Sequence, residues 1–246
     1  MQIDPFGFPI VGGWPEIDAA GMAEVDLLMV ENYGITLPQM MENAGWSLAE
    51  LARRRFLRGN AAGQAVTVLA GGGGNGGGAL AAARRLAGWG VQVSIVLAQE
   101  PDAMAPVPGG QLAVLRQIGL HPGPPPRTAP GLILDGLIGY SLRGEPRGKV
   151  RDLIGWANES QAEILSLDLP SGFDAQIGTL LHGAVRATAT LTLALPKRGL
   201  QAQANRHAVG DLYLADISVP PALYERLSIP RVVPPFAVAD IVRLPT

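Results

Sequence analysis

The sequence predicts an α/β protein in which helices cover both faces of a mostly parallel sheet. A helical preface is followed by short apolar runs alternating with helix-like segments, the pattern of a parallel sheet whose crossovers are helices. The strand-like runs are nearly continuous in apolar residues, as strands buried on both faces must be. The 246 residues, 48% hydrophobic and 16% charged, suit one large core better than two small ones. With aromatics at only 5%, that core must be mostly Ala, Leu, Val and Ile.

Residues 1–16 read as an irregular N-terminal arm, and 17–246 as a single domain. A first helix spans about 19–32 and ends at Gly34. The second opens at "TLPQMMENAG", where Thr36 and Gln39 have capping-box spacing and Pro38 sits in the first turn, where its missing N–H costs nothing. Met40 and Met41 start its apolar periodicity as core residues. Arg53, Arg54 and Arg55 are consecutive, fan outward and read as a solvated helix end. "AVTVLA" (65–70) is the first strand, "GALAAARRLAGWG" a helix stopped by Gly88 or Gly90, and "VQVSIVLA" (91–98) the second strand. Residues 99–110 and 121–130 are Pro-rich loops around a helix at 111–118. "GLILD" ends a third strand at Asp135, "GKVRDLIGWANES" is a helix, and "AEILSLD" ends a fourth strand at Asp168. "ATATLTLAL" and "DLYLADI" are further strands. No internal repeat and no linker is visible.

The composition also excludes. Without cysteine there is no disulfide, no thiol catalysis and no Cys-ligated metal. A formal net charge of -2 with no basic block argues against nucleic acid as the main partner. The N-terminus lacks a basic start before an apolar stretch, so it does not read as a signal peptide. The uncharged stretch 59–83 is too glycine-rich for a membrane span. A cytoplasmic protein is the expectation.

Parallel sheets bind ligands beyond the carboxyl ends of their strands. Three apolar strands here run into polar groups: the glycine loop "GGGGNGGG" with Asn75, then Asp135, then Asp168. "LDLPSG" adds Ser171 after a proline. If these strands are neighbours, two carboxylates, an amide and a hydroxyl converge on one crevice. Glycines between a strand and a helix let backbone N–H groups approach a phosphate, with the helix N-terminus adding partial positive charge. G-x-G-x-x-G fits in several registers and so says little, and G-K-[ST] is absent. The plainer readings are a flexible connection for the glycines and turn or cap roles for Asp135 and Asp168. Ser171 lacks a G-x-S-x-G elbow and reads as a turn residue. His121, His182 and His207 read as surface residues, and Lys197 with Arg198 as a solvated strand end.

Taken in order, "MMENAG", the Gly/Asn loop, "ILDGLIGYSLRG", "LDLPSGFDAQIG" and "ATLTLALPKRGL" resemble the YjeF N-terminal domain family from about Met22 to Pro220. The resemblance implies a Rossmann-like three-layer α/β/α sandwich, a homodimer, and an NAD(P)H-hydrate epimerase. Such enzymes interconvert the R and S forms of NADH or NADPH hydrated at C6 of the nicotinamide ring. A separate ATP- or ADP-dependent dehydratase then acts on the S form. Asp168 matches the family's acid–base aspartate, which faces the reacting ring. Asn75, Asp135 and Ser171 match the ligands of a potassium ion, one per subunit. The substrate-binding positions map to Gly74, Asn75, Gly76, Gly77 and Gly78 in the glycine loop and to Gly139, Tyr140, Ser141, Leu142, Arg143, Gly144 and Glu145 after Asp135, with Asp168.

The departures from the family pattern lie in the binding loops. Gly74 replaces an Asn, Gly78 an Asp and Ala79 a Gly, and "GYSL" stands for G-T-G-L. These changes motivate an alternative reading: a non-catalytic nucleotide-binding or protein-interaction module of the same fold. A plain NAD-dependent dehydrogenase is a third reading. Glu100 would hold the ribose, but it lies later after the glycine loop than the usual offset of roughly 20. The glycines are expected to let the main chain reach the ligand's diphosphate, and Asn75 is the one side chain needed there.

Overall fold

The computed structural model describes residues 2–128, 131–230 and 235–245. Position 1 of the arm, 129–130 of the second Pro-rich loop, and 231–234 and 246 of the domain lie outside the described residues. The apolar runs become β1 (Ala65–Ala70), β2 (Gln92–Leu97), β3 (Leu132–Gly136) and β4 (Glu163–Leu167). A small ribbon of β5 (Phe173–Asp174) and β6 (Thr179–Leu180) follows, then β7 (Ala189–Leu193), β8 (Asp211–Ala215) and β9 (Ile241–Arg243). The main sheet has seven strands in the order β2-β1-β3-β4-β7-β8-β9. All pairs are parallel except β8 with β9. The ribbon and β9 are too short to show an apolar run and leave no periodic trace in the residues.

Seven helices are described: α1 (Ala19–Tyr33), α2 (Leu37–Leu51), α3 (Gly74–Gly88), α4 (Pro106–Gln117), α5 (Gly148–Glu159), α6 (Arg206–Val209) and α7 (Pro221–Arg226). Alternate residues of the strands feed two cores. Val66, Val68, Leu132 and Leu134 pack with residues of α1 to α4 on one face. Leu69, Ile133 and Ile164 pack with Leu153, Ile154 and Ala157 of α5 on the other. This is the expected three-layer sandwich, thicker on one side.

Helix starts are displaced from the expected positions. α3 begins inside the glycine loop, where the Gly77 N–H already donates to the Gly73 carbonyl at 3.0 Å. α4 begins at Pro106 because a proline in the first turn forfeits no intrahelical bond. The α2 cap forms as its spacing predicts, with Gln39 Oε1 accepting from the Thr36 N–H at 2.7 Å and from its hydroxyl at 2.8 Å.

The three arginines are not a solvated helix end. They lie in a π-helical turn that extends α2, and this wider turn aims them at different partners. Arg54 donates to the Phe6 carbonyl at 2.8 and 3.1 Å and stacks on Phe8. Arg55 reaches the Tyr213 hydroxyl and Asp211, both at 2.7 Å. Arg53 pairs with Glu50 and covers Trp89. The arm is irregular as expected, but it is fastened down, with Phe8 and Trp14 buried in the core.

Candidate active site

The chain leaves β1 for β2 on one side and later enters β3 on the other. That reversal opens a crevice beyond the carboxyl ends of β1 and β3, where doubly wound sheets bind ligands. A cavity of about 380 Å³ occupies it, within the range of small-molecule sites. Its lining includes residues 71–75 after β1, 137–141 after β3, Asp168 after β4, and Lys197 beyond β7. Met22 and Asp26 of α1 and Leu37, Met40, Met41 and Ala44 of α2 close another wall.

The glycine loop divides into two parts. Gly74 and Asn75 line the cavity, whereas Gly76, Gly77 and Gly78 do not. Those three are buried in the first turns of α3. A Cβ on Gly76 would lie 1.8 Å from the Gly71 carbonyl oxygen, so the loop closes on itself only without a side chain there. The expectation that these glycines clear the way for a ligand is therefore corrected for 76–78, whose close neighbours are the protein's own atoms. At Gly73 and Gly74 a Cβ would meet nothing within 4 Å.

Asp135 and Ser171 lie together, wholly buried and outside the cavity's lining. Asp135, wholly buried, accepts from the Ser171 hydroxyl at 2.6 Å, the Ser171 N–H at 2.9 Å, the Ser166 hydroxyl at 2.8 Å and the Leu137 N–H at 3.2 Å. Burial pushes its carboxyl pKa up, against the pull of these hydrogen bonds. Asn75 donates to the Leu167 carbonyl at 2.7 Å, which ties α3 to the end of β4. A Cβ at position 139 would lie 2.5 Å from Asn75 Oδ1, so Gly139 makes room for the amide. Among the described residues, no donor reaches Asn75 Oδ1. The Asp135 carboxylate, the Ser171 hydroxyl bonded to it and the unpartnered Asn75 Oδ1 are all oxygens, the donor type that a hard cation takes.

Asp168 sits where β4 ends, with φ at +64°, a left-handed conformation that Asp adopts more readily than most residues. The turn stops the strand and aims the carboxylate at the cavity. Asp168 is 2% exposed and Lys197 is wholly buried. Lys197 Nζ donates to Asp168 Oδ1 and, at 2.7 Å, to the Leu193 carbonyl. The sequence reading of Lys197 as solvated is thus corrected: a residue after β7 folds back under the neighbouring strand end. The Leu193 N–H (3.3 Å) and the Thr192 hydroxyl (3.4 Å) also approach Oδ1. Every donor found among the described residues is on Oδ1, which leaves Oδ2 for a ligand.

Of the loop after Asp135, Gly139, Tyr140 and Ser141 line the cavity, whereas Leu142, Arg143, Gly144 and Glu145 lie outside its lining. Tyr140 donates its hydroxyl to Asp26 Oδ2. Burial pushes the Asp26 carboxyl pKa up, and the Tyr140 bond pulls it part of the way back. The reading of the residues missed both Lys197 and Asp26. One signal was present for each. Lys197 is one of only two lysines, with Lys149, in a chain whose other basic residues are arginines. Asp26 follows Met22 by one helical turn on the buried side of α1. His121, His182 and His207 are exposed, as expected. No helix among the described residues is long and apolar enough to cross a membrane.

Residues 37–199 match the family model described as YjeF-related protein N-terminus. The chain is 43% identical to a protein of Dehalogenimonas lykanthroporepellens named NAD(P)H-hydrate epimerase, over 91% of this chain and 90% of that one. It is 38% identical to a protein of the same name from Truepera radiovictrix, over 92% of this chain and 100% of the other. A Salinibacter ruber protein named bifunctional NAD(P)H-hydrate repair enzyme Nnr is 33% identical over 86% of this chain, which spans 42% of that longer protein. The crystal structure of yeast ynu0 has the same fold, with a TM-score of 0.79 at 23% identity, covering 94% of this chain and 100% of the yeast chain.

Proposed function

Because this chain belongs to the YjeF-related N-terminal family, we propose that it is an NAD(P)H-hydrate epimerase that interconverts the R and S hydrates of NADH and NADPH. The carrying observation is the buried carboxylate of Asp168, which lines the cavity and is held by Lys197 through one oxygen, while no donor among the described residues reaches the other. A group so held can exchange a proton with a substrate hydroxyl without losing its place. Among the described residues, Lys197 hydrogen bonds only the Asp168 carboxylate and the Leu193 carbonyl, so the two side chains act as one polar unit.

The first-turn N–H groups of α3 have no intrahelical partners. They lie at the cavity edge beside Gly74 and Asn75 and suit the substrate's diphosphate. Asn75, Asp135 and Ser171 would hold a potassium ion, whose charge would offset the buried carboxylate of Asp135. The product passes to a separate ATP- or ADP-dependent dehydratase, in keeping with the longer bifunctional relatives. The protein works in the cytoplasm as a homodimer.

The test supplies the R hydrate with an S-specific dehydratase and follows recovery of NADH. Catalytic amounts of this protein should accelerate recovery over spontaneous epimerisation, and Asp168→Asn should abolish the acceleration while still binding the hydrate. No acceleration by the unaltered protein at high concentration refutes the activity. Full turnover in the Asn variant refutes the role of Asp168.

A further inference from the structure

The charged side chains lining the cavity are two carboxyls and one ammonium: Asp26, Asp168 and Lys197. The ammonium is committed to Asp168. Asp26 comes from a different wall, on α1, and among the described residues it is held only by the Tyr140 hydroxyl, through Oδ2. The two carboxyls are therefore separately anchored, and each lines the same cavity with one oxygen that no donor among the described residues reaches. Neither hydrogen bonds the other.

Resting on the epimerase reading, we propose that Asp26 is a second acid–base residue of this cavity, working with Asp168 so that one group serves departure and the other serves return. Inversion at C6 by breaking the C–O bond needs both events. Asp26 gives its carboxyl proton to the C6 hydroxyl as the C6–O bond breaks. Water leaves with the bonding pair, and the ring nitrogen shares the positive charge left at C6. A water then bonds to C6 from the other face while the Asp168 carboxylate takes one of its protons. One water is lost and one gained, and one proton has moved from Asp26 to Asp168. The reverse reaction uses the same groups in exchanged roles, and proton exchange with solvent resets the enzyme.

The two carboxyls stand in different surroundings. Asp168 is hydrogen-bonded through one oxygen by the Lys197 ammonium. Burial favours the protonated form of Asp26. The groups that face Asp26 are Tyr140, Lys197 and Asp168: the Tyr140 bond and the Lys197 charge favour its ionised form, and the Asp168 charge opposes it. Tyr140 therefore acts as a positioning residue that also moderates the affinity of Asp26 for its proton.

The experiment measures R-to-S interconversion directly across pH for the unaltered protein, Asp26→Asn and Tyr140→Phe. Asparagine still accepts from Tyr140, so the fold is expected to hold. Asp26→Asn should lose roughly 100-fold or more in kcat with KM within about threefold. Tyr140→Phe should move the alkaline limb of the pH–rate profile to higher pH, because Asp26 loses a donor that stabilises its ionised form. An inactive unaltered protein refutes the epimerase reading itself. An active one whose Asp26→Asn variant keeps kcat within about twofold, or whose Tyr140→Phe profile does not move, refutes this proposal alone.

Discussion

At the scale of single residues, the ion pair of Asp168 and Lys197 shows what chemistry the fold can bury. An isolated ammonium without exposed surface would cost several kcal/mol in desolvation, and among the described residues the Asp168 carboxylate and the Leu193 carbonyl are the hydrogen-bond partners that offset it. Replacing Lys197 with Met should destabilise the protein by roughly 3–5 kcal/mol, because the carboxylate is left buried and unpaired. Adding Asp168→Asn should restore most of that loss, since Asn can still accept from the Leu193 N–H. Denaturant unfolding of the two single variants and the double variant checks this. A double variant no more stable than Lys197→Met means the pair carries no buried-charge penalty. At this scale the sequence was half legible. Asp135 and Asp168 stood out because each ends an apolar run, Asn75 as the polar side chain in the glycine loop, and Ser171 as the hydroxyl after the proline that follows Asp168. Lys197 did not, because its partner is far away in the chain and a Pro-Lys-Arg-Gly segment looks like any exposed turn.

At the scale of elements, alternation of apolar runs and helix patterns was enough to locate the six long strands; the short strands β5, β6 and β9 were missed, and α3 and α4 begin earlier than expected. The glycine loop is the instructive one. Read as sequence, a run of glycines looks like loop throughout, since glycine disfavours helix, and nothing in it marks where the helix begins. The backbone settles it by close contacts that only some of the glycines make. This gives opposite predictions within one run. Gly76→Ala drives a Cβ into the Gly71 carbonyl, and backbone cannot step aside as a flexible side chain would. Overpacking of this kind costs roughly 1–3 kcal/mol or more. Gly74→Ala meets open space at the first position of α3 and should be neutral or stabilise by up to about 1 kcal/mol, because alanine loses less entropy on becoming helical. Thermal melts of the two variants decide it. Equal effects would mean that the run is only a tether.

At the scale of the whole molecule, the parts that sequence could not supply are those fixed by distant partners. The arm looked irregular, and it is, yet Asp4 accepts from Tyr213 on β8 at 2.8 Å while Arg55 donates to the same hydroxyl and pairs with Asp211. Arg243 of β9 completes the cluster on Asp211 at 2.6 Å. The N-terminal arm, the end of α2 and the far edge of the sheet are thus joined by polar contacts with no periodic trace. Asp135 does the same work at the sheet's centre, gathering β3, β4 and the Ser171 turn with four hydrogen bonds from neutral donors. A cation bound there favours the folded state over the unfolded one and so stabilises the whole chain by mass action. At about ten times its dissociation constant, potassium would add roughly 1.4 kcal/mol, or about 3–6 °C in Tm for a chain of this size. The comparison is between potassium and a bulky organic cation at the same ionic strength. The unaltered protein should melt higher in potassium, and Asp135→Asn, which keeps an oxygen acceptor but loses the charge, should show little or no difference. Equal melting of the unaltered protein in both salts would remove the ion from Asn75, Asp135 and Ser171 and leave their network as a scaffold for the strand ends.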